Sequence, residues 1–310
     1  MKHLLSILDL NKKEILDLIN LAIKIKKHPE KYKNKAFEKV LLTFFELPSL
    51  RTELSFDTAM FQMNGEVIDY HSESSPWAQG KESIEDVAKV VSKYCNLVMI
   101  RMRDHDEFVK FAKNSKIPVI NGLTNYEHPC QILSDSMTIY EKKGKLKGLK
   151  LAYFGDANNN VTHSLIYASA LLGINITICC PSKKEFLPNP NVLKNSVKIC
   201  KKTKSKVTVT HNIKEAAKNA DIIYTDSWFP YRIPKSQYKE RAKILKPFQV
   251  NEKVMSYAKK NAIFMHCLPA LRGYEITKDI IDGKQSIVFD QASNRLPMQK
   301  AIIIKLFNKV

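Results

Sequence analysis

Short apolar or β-branched runs alternate with segments of helical period along most of this chain, and that alternation admits few folds. Strands are expected at 40–45, 66–70, 97–101 and 118–121, with helices across 52–64, 83–94, 105–115 and 129–143. A first helix over 12–27 precedes them, with Asp9 or Asn11 as its cap. The Lys- and Gly-rich stretch 142–150 interrupts the pattern. Strands at 151–154, 175–179, 206–210, 221–225, 262–266 and 286–289 follow it, so a second unit of the same kind is expected. An amphipathic segment over 296–307 is expected to fold back on the first domain. The expected fold is α/β, with two doubly wound parallel-sheet domains joined by a short linker. Their bounds are 1–143 and 144–292, with 293–310 as the returning C-terminal helix.

The chain has 310 residues, 44% of them hydrophobic, enough to fill two cores. It lacks a run of eighteen apolar residues and a signal-like N-terminus, so a cytoplasmic protein without membrane partners is expected. Six cysteines lack CxxC or ligand-like spacing, several within apolar runs, so reduced thiols and no metal are expected. The net charge of +19 allows nucleic acid, anionic membrane or an anionic substrate as partner. The lysines are spread along the chain, and their two loose clusters interleave no aromatics, which argues against nucleic acid. For a small anion, the same field speeds encounter.

In open α/β sheets, ligands bind beyond the carboxyl ends of the strands, and the polar clusters of this sequence fall there. Ser49-Leu50-Arg51-Thr52 follows the first strand and opens a helix, where free amides, hydroxyls and a guanidinium suit a phosphate. A simple helix cap at Ser49 or Thr52 is the alternative. There is no P-loop glycine pattern. Arg101 ends the third strand, and His128-Pro129-Cys130-Gln131 opens a later helix with His128 and Gln131 on one face. Gly155-Asp156-Ala157-Asn158-Asn159-Asn160, Asp226 and His266-Cys267-Leu268-Pro269 follow strands of the second domain.

This ordered set, completed by Asn294-Arg295-Leu296, resembles the aspartate/ornithine carbamoyltransferase family over nearly the whole chain. Cys267 after His266, and the Gly-Asp-x-Asn-Asn element, resemble the ornithine branch. The resemblance implies transfer of the carbamoyl group of carbamoyl phosphate to the side-chain amine of ornithine. The products are citrulline and phosphate, on the route to arginine, with no cofactor. By the same resemblance Ser49, Leu50, Arg51 and Thr52 hold the phosphate, and Arg101 and His128 polarise the carbonyl oxygen. Gln131 and the Leu268 carbonyl hold the carbamoyl amino group, and Arg295 closes the site. Asn159, Asp226, Pro230 and Tyr231 fall in the ornithine-binding elements, with Cys267 near the reacting amine. Trp77 lies in a segment that resembles the family's loop into a neighbouring subunit's site. Either its indole N–H meets phosphate or it plugs an interface. A shared site implies a homotrimer or a multiple of trimers.

Three departures from the family pattern stand out. Glu53 occupies the place of a second arginine in the phosphate motif. Phe229-Pro230-Tyr231 replaces the usual acceptor loop, and Pro230 removes an amide donor and a hydroxyl. Gln291, Ser293 and Pro297 stand where acidic residues and His are usual. An N-acylated ornithine, putrescine or another amine as acceptor therefore remains an alternative, as does a non-catalytic regulatory paralogue.

Overall fold

The buried apolar runs become the inner strands of two parallel sheets. The computed structural model describes residues 2–72, 75–230 and 233–308. They divide into two units, Met1–Met137 with Asn294–Val310, and Thr138–Ser293.

In the first unit, α1 (Lys12–Lys27) precedes β1 (Val40–Phe45), α2 (Leu50–Phe61), β2 (Glu66–His71) and α3 (Ile84–Tyr94). Then come β3 (Leu97–Arg101), α4 (His105–Asn114), β4 (Val119–Leu123) and α5 (Pro129–Lys143), which continues into the second unit. Asn11, rather than Asp9, caps α1: it accepts from the Glu14 amide while the Glu14 carboxylate accepts from its own. The strand order is β2-β1-β3-β4, all parallel. Every residue of β3 is buried, as an inner parallel strand requires, whereas β2 lies at an edge and is largely exposed. The chain steps one way from β1 to β2 and the other way to β3. The crevice beyond β1 and β3 is therefore the topological switch point, where such sheets bind ligands.

The second unit runs β5 (Lys150–Phe154), α6 (Asn160–Leu172), β6 (Asn175–Cys179), α7 (Pro190–Thr203), β7 (Val207–Thr210), α8 (Ile213–Ala217) and β8 (Ile222–Thr225). It continues through α9 (Tyr238–Leu245), α10 (Glu252–Tyr257), β9 (Ile263–Met265), α11 (Lys278–Ile281) and α12 (Val288–Ser293). The order β7-β6-β5-β8-β9, again parallel, puts its switch point between β5 and β8. Helix α6 is buried along nearly its whole length and ends at Gly173, whose φ of +78° is the left-handed stop that glycine adopts without steric cost. The core below the sheet gathers Phe154, Ile223, Val250, Phe264, Ile276 and Val288.

The strand expected at 286–289 does not form. Ser286 makes a single bridge to Phe264, and Val288–Ser293 is helical. With β9 only three residues long, little ladder is available, and a short apolar run is as compatible with a buried helix as with a strand. The last helix, α13 (Arg295–Phe307), packs in the first unit against α1 and α2, burying Met298, Ala301, Ile302, Ile303 and Leu306.

Candidate active site

In the first unit, the cluster beyond β1 and β3 is built around helix starts. Ser49 caps α2, its Oγ accepting from the Thr52 N–H at 3.3 Å. The cap reading of this motif holds at Ser49, and a capped helix start presents free first-turn amides. Arg51 is half-buried and Thr52 fully buried, while Leu50 projects outward. The Arg295 guanidinium, at the start of α13, is buried. It donates through Nη1 to Gln131 Oε1 and through Nη2 to Thr52 Oγ1 at 3.4 Å. Gln131 in turn donates to Asp135 Oδ1 at 2.8 Å. Neutral oxygens, not carboxylates, therefore support Arg295 at Gln131 and Thr52.

His128 is buried at the start of α5, directly before Pro129. Burial pushes its pKa well below the usual histidine value, and the charges of Arg295, Arg101 and Arg51 push it the same way. The imidazole is neutral at physiological pH, an N–H donor among three guanidiniums. That arrangement suits a dianion next to a polarised carbonyl. Cys130, buried beside it, has its thiol pushed up to about 12 and donates to the Asn121 carbonyl, so it remains a protonated packing residue.

Glu53 sits in the first turn of α2, where a carboxylate suits the helix dipole. One turn on, Asp57 is pushed up to about 7, chiefly by burial and then by the charges of Asp69 and Glu53. Trp77 is half-buried, its ring meeting Phe44 edge-on at 5.7 Å within the core cluster of its own unit.

In the second unit, the groups beyond β8 and β9 make two sets of hydrogen bonds. Cys267 Sγ donates to Asp226 Oδ1 at 3.1 Å, and the Ser227 N–H donates to the same oxygen at 2.8 Å. The Leu268 N–H donates to His266 Nδ1 at 2.8 Å, so the ring proton sits on Nε2. That nitrogen lies 3.4 Å from Glu275 Oε1, and both side chains are fully buried. Leu268 takes the left-handed φ of +59° and precedes a cis proline. Burial raises the Asp226 pKa against the opposing pull of His266 and Cys267. Asp226, His266 and Cys267 place one potential metal-ligating atom each within 4.8 Å of the others. A metal there would compete with the hydrogen bonds already made by the thiol, the carboxylate and the Nδ1 of His266.

Beyond β5, Asn159 is engaged on all sides. Its Oδ1 accepts from the Thr162 N–H at 2.8 Å, capping α6. Its Nδ2 donates to the Asp156 carbonyl at 2.6 Å and to Tyr153 Oη at 3.1 Å. The flanking Asn158 and Asn160 are half-buried instead. Pro230 is half-buried, and Tyr231 lies outside the described residues. Gln291 is wholly buried, accepting from the His266 N–H at 3.0 Å and donating to Tyr224 Oη at 3.2 Å. Three participants, Glu275, Gln291 and Tyr153, were not anticipated as functional groups. Glu275 and Tyr153 carry no local motif, and Gln291 stood out only as a departure from the family pattern.

Two family models match the chain. The carbamoyl-P binding domain of aspartate/ornithine carbamoyltransferase covers residues 2–141, and the Asp/Orn binding domain covers 147–306. The chain belongs to the aspartate/ornithine carbamoyltransferase family. Its relatives include ornithine carbamoyltransferases. An ornithine carbamoyltransferase of Archaeoglobus fulgidus is 42% identical over 313 residues, covering 100% of this chain and 98% of that protein. One from Methanococcus aeolicus is 43% identical, covering 99% and 100%. The solved ornithine carbamoyltransferase of Pyrococcus furiosus superposes with a TM-score of 0.94 at 37% identity, covering 100% of this chain and 98% of that one. The second family model extends over most of α13, which the fold assigns to the first unit.

Proposed function

We propose that this carbamoyltransferase moves the carbamoyl group of carbamoyl phosphate onto the side-chain amine of L-ornithine, giving L-citrulline and phosphate. The observation that carries the donor half is the buried Arg295 guanidinium bonded to Gln131 and Thr52 at the Ser49-capped start of α2, with the charges of Arg51, Arg101 and Arg295 acting on the buried His128. Ser49, the Leu50 amide, Arg51, Thr52 and Arg101 bind the phosphate. Arg101 and His128 donate to the carbonyl oxygen, where negative charge grows as the tetrahedral intermediate forms. Gln131, the Leu268 carbonyl and Arg295 fix the carbamoyl amino group and the phosphate.

On the acceptor side, Asn159, Asp226 and the loop through Pro230 and Tyr231 take the amino acid. Ornithine's side-chain amine is protonated near neutral pH and must lose that proton before it attacks. Asp226 and Cys267 form the polar pair that receives it, and a carboxylate of raised pKa is the better base for this purpose. Collapse of the intermediate breaks the C–O bond to phosphate, which leaves and takes the proton released from the former amine.

We further propose a homotrimer, or a multiple of trimers, acting in the cytoplasm in arginine biosynthesis. The outer face of α2 supports self-association, because Leu50, Leu54 and Phe61 are 69%, 56% and 80% exposed there. The cysteines are all free thiols, in keeping with a reducing compartment, and among the described residues no helix is long and apolar enough to cross a membrane.

The decisive experiment presents carbamoyl phosphate with ornithine, acetylornithine and putrescine in parallel. Citrulline formation well above an enzyme-free control is expected with ornithine. Turnover of acetylornithine or putrescine in its place reassigns the acceptor to the one that reacts, and turnover of none favours a regulatory paralogue. Light scattering checks the trimer.

A further inference from the structure

Helix α9 reads as a charged surface helix, Tyr238-Lys239-Glu240-Arg241-Ala242-Lys243, yet Arg241 is 7% exposed. Its Nη2 donates to Asp156 Oδ2 and its Nε donates to the Trp228 carbonyl. The guanidinium lies over the Phe186 ring, 4.8 Å from its centroid. One planar cation therefore bonds two loops at once: the one leaving β5, which carries Asp156 and Asn159, and the one leaving β8, which carries Asp226 and Trp228.

Each end of this bridge continues toward the acceptor groups. Asp156 accepts the Asn158 N–H on Oδ1 at 2.9 Å, and its carbonyl accepts from Asn159 Nδ2 at 2.6 Å and Tyr153 Oη at 2.7 Å. Trp228 is wholly buried with Phe186 and Leu245. Next to it Phe229 stacks on Tyr238 at 4.2 Å and meets Tyr274 edge-on at 5.2 Å. The two loops flank the β5/β8 switch point. A buried ion pair contributes little net stability, because desolvation offsets its attraction. What a guanidinium supplies that an apolar side chain cannot is direction, two donors fixed in one plane.

We propose that Arg241 is a positioning residue for the acceptor: through Asp156 and the Trp228 carbonyl it fixes the spacing of the loops bearing Asn159 and Asp226. Acceptor affinity then depends on it, while the donor site does not. This inference rests on the acceptor reading of these loops given above.

Its test compares Arg241→Lys, which keeps a cation near Asp156 but loses the planar pair of donors, with Arg241→Met and with Arg241→Met combined with Asp156→Asn. In Arg241→Lys we expect the KM for ornithine to rise about tenfold, with kcat within about threefold and carbamoyl-phosphate affinity unchanged. Amide hydrogen exchange gives a readout independent of turnover. Exchange at 156–160 and at 227–229 should speed up together in Arg241→Met, although the side chain changed lies in neither loop. If Arg241→Met does not fold, the lysine variant and the charge-free double variant carry both measurements. An unchanged KM for ornithine in folded variants overturns the proposal, as does faster exchange confined to one loop. If wild type turns over no amine, the acceptor reading has failed, and the exchange result alone decides whether Arg241 couples the loops.

Discussion

The donor-side cluster of the first unit and the acceptor-side cluster of the second are assembled by different means. The first is made of guanidiniums and neutral polar side chains in or beside short motifs at helix starts: Ser49, Arg51 and Thr52 at the start of α2, His128 and Gln131 at α5, Arg295 at α13. The second is made of sets of hydrogen bonds in which the groups at the strand ends are backed by buried residues behind them. His266 accepts from the Leu268 amide with the Glu275 carboxylate 3.4 Å from its other ring nitrogen, and Arg241 joins Asp156 to Trp228. A dianion can be gripped by charge converging from several sides, with modest demands on each angle. An amino acid with two charged ends and a reactive amine needs direction, which buried partners supply.

The largest expected effect falls on the donor side. Arg51→Ala should weaken carbamoyl-phosphate binding about 100-fold by calorimetry, since a charge-assisted grip is lost from the phosphate. Unchanged affinity would remove that grip from the account and leave the donor cluster undefined. The middle effect breaks or sharpens the contrast directly. Glu275→Gln should lower kcat about tenfold, with carbamoyl-phosphate affinity as in wild type, because the imidazole loses the carboxylate charge that lies 3.4 Å from its Nε2. A fall in donor affinity in that variant would show that the two clusters are not separately supported.

The smallest effect tests the acidic side of α2. Asp57 titrates at about 7 in the fold against 3.8 for the free side chain. Its raised pKa gives a contribution that is fully present below 3.8 and lost as pH rises through about 7. Asp57→Asn should therefore stabilise the protein at pH 8 by about 1 kcal/mol, after discounting for the side chain's partial exposure, and leave it nearly unchanged at pH 4. Denaturant melts at the two pH values measure this. Equal melts at both would mean that burial, with the charges of Asp69 and Glu53, does not raise the Asp57 pKa.

The contrast also governs what could be read from residues alone. The inner strands were legible because a parallel strand buried on both faces is a continuous apolar run, as in Leu97-Val98-Met99-Ile100. The clustering of Ser49, Arg51, Thr52, His128 and Gln131 at helix starts was legible because they lie within a few positions of strand ends and helix starts. The segment at 286–289 was misread because Ile287-Val288-Phe289 has no period long enough to separate strand from helix. Arg241 and Glu275 were illegible for another reason. Arg241 is flanked by charged residues that face solvent, and only the tertiary fold selects it for burial. Asn159 shows the converse: a motif residue whose side chain also caps a helix, so that the motif position alone does not fix its role.

The return of α13 to the first unit sets an order of manufacture. Arg295 bonds Gln131 and Thr52, yet it follows the whole of Thr138–Ser293 in the chain. A growing polypeptide that has emerged through Gln131 possesses the hydroxyls, Arg51, Arg101 and His128, but not the guanidinium that links α2 to α5. The unit begun first on the ribosome is thus finished only after the other has been translated.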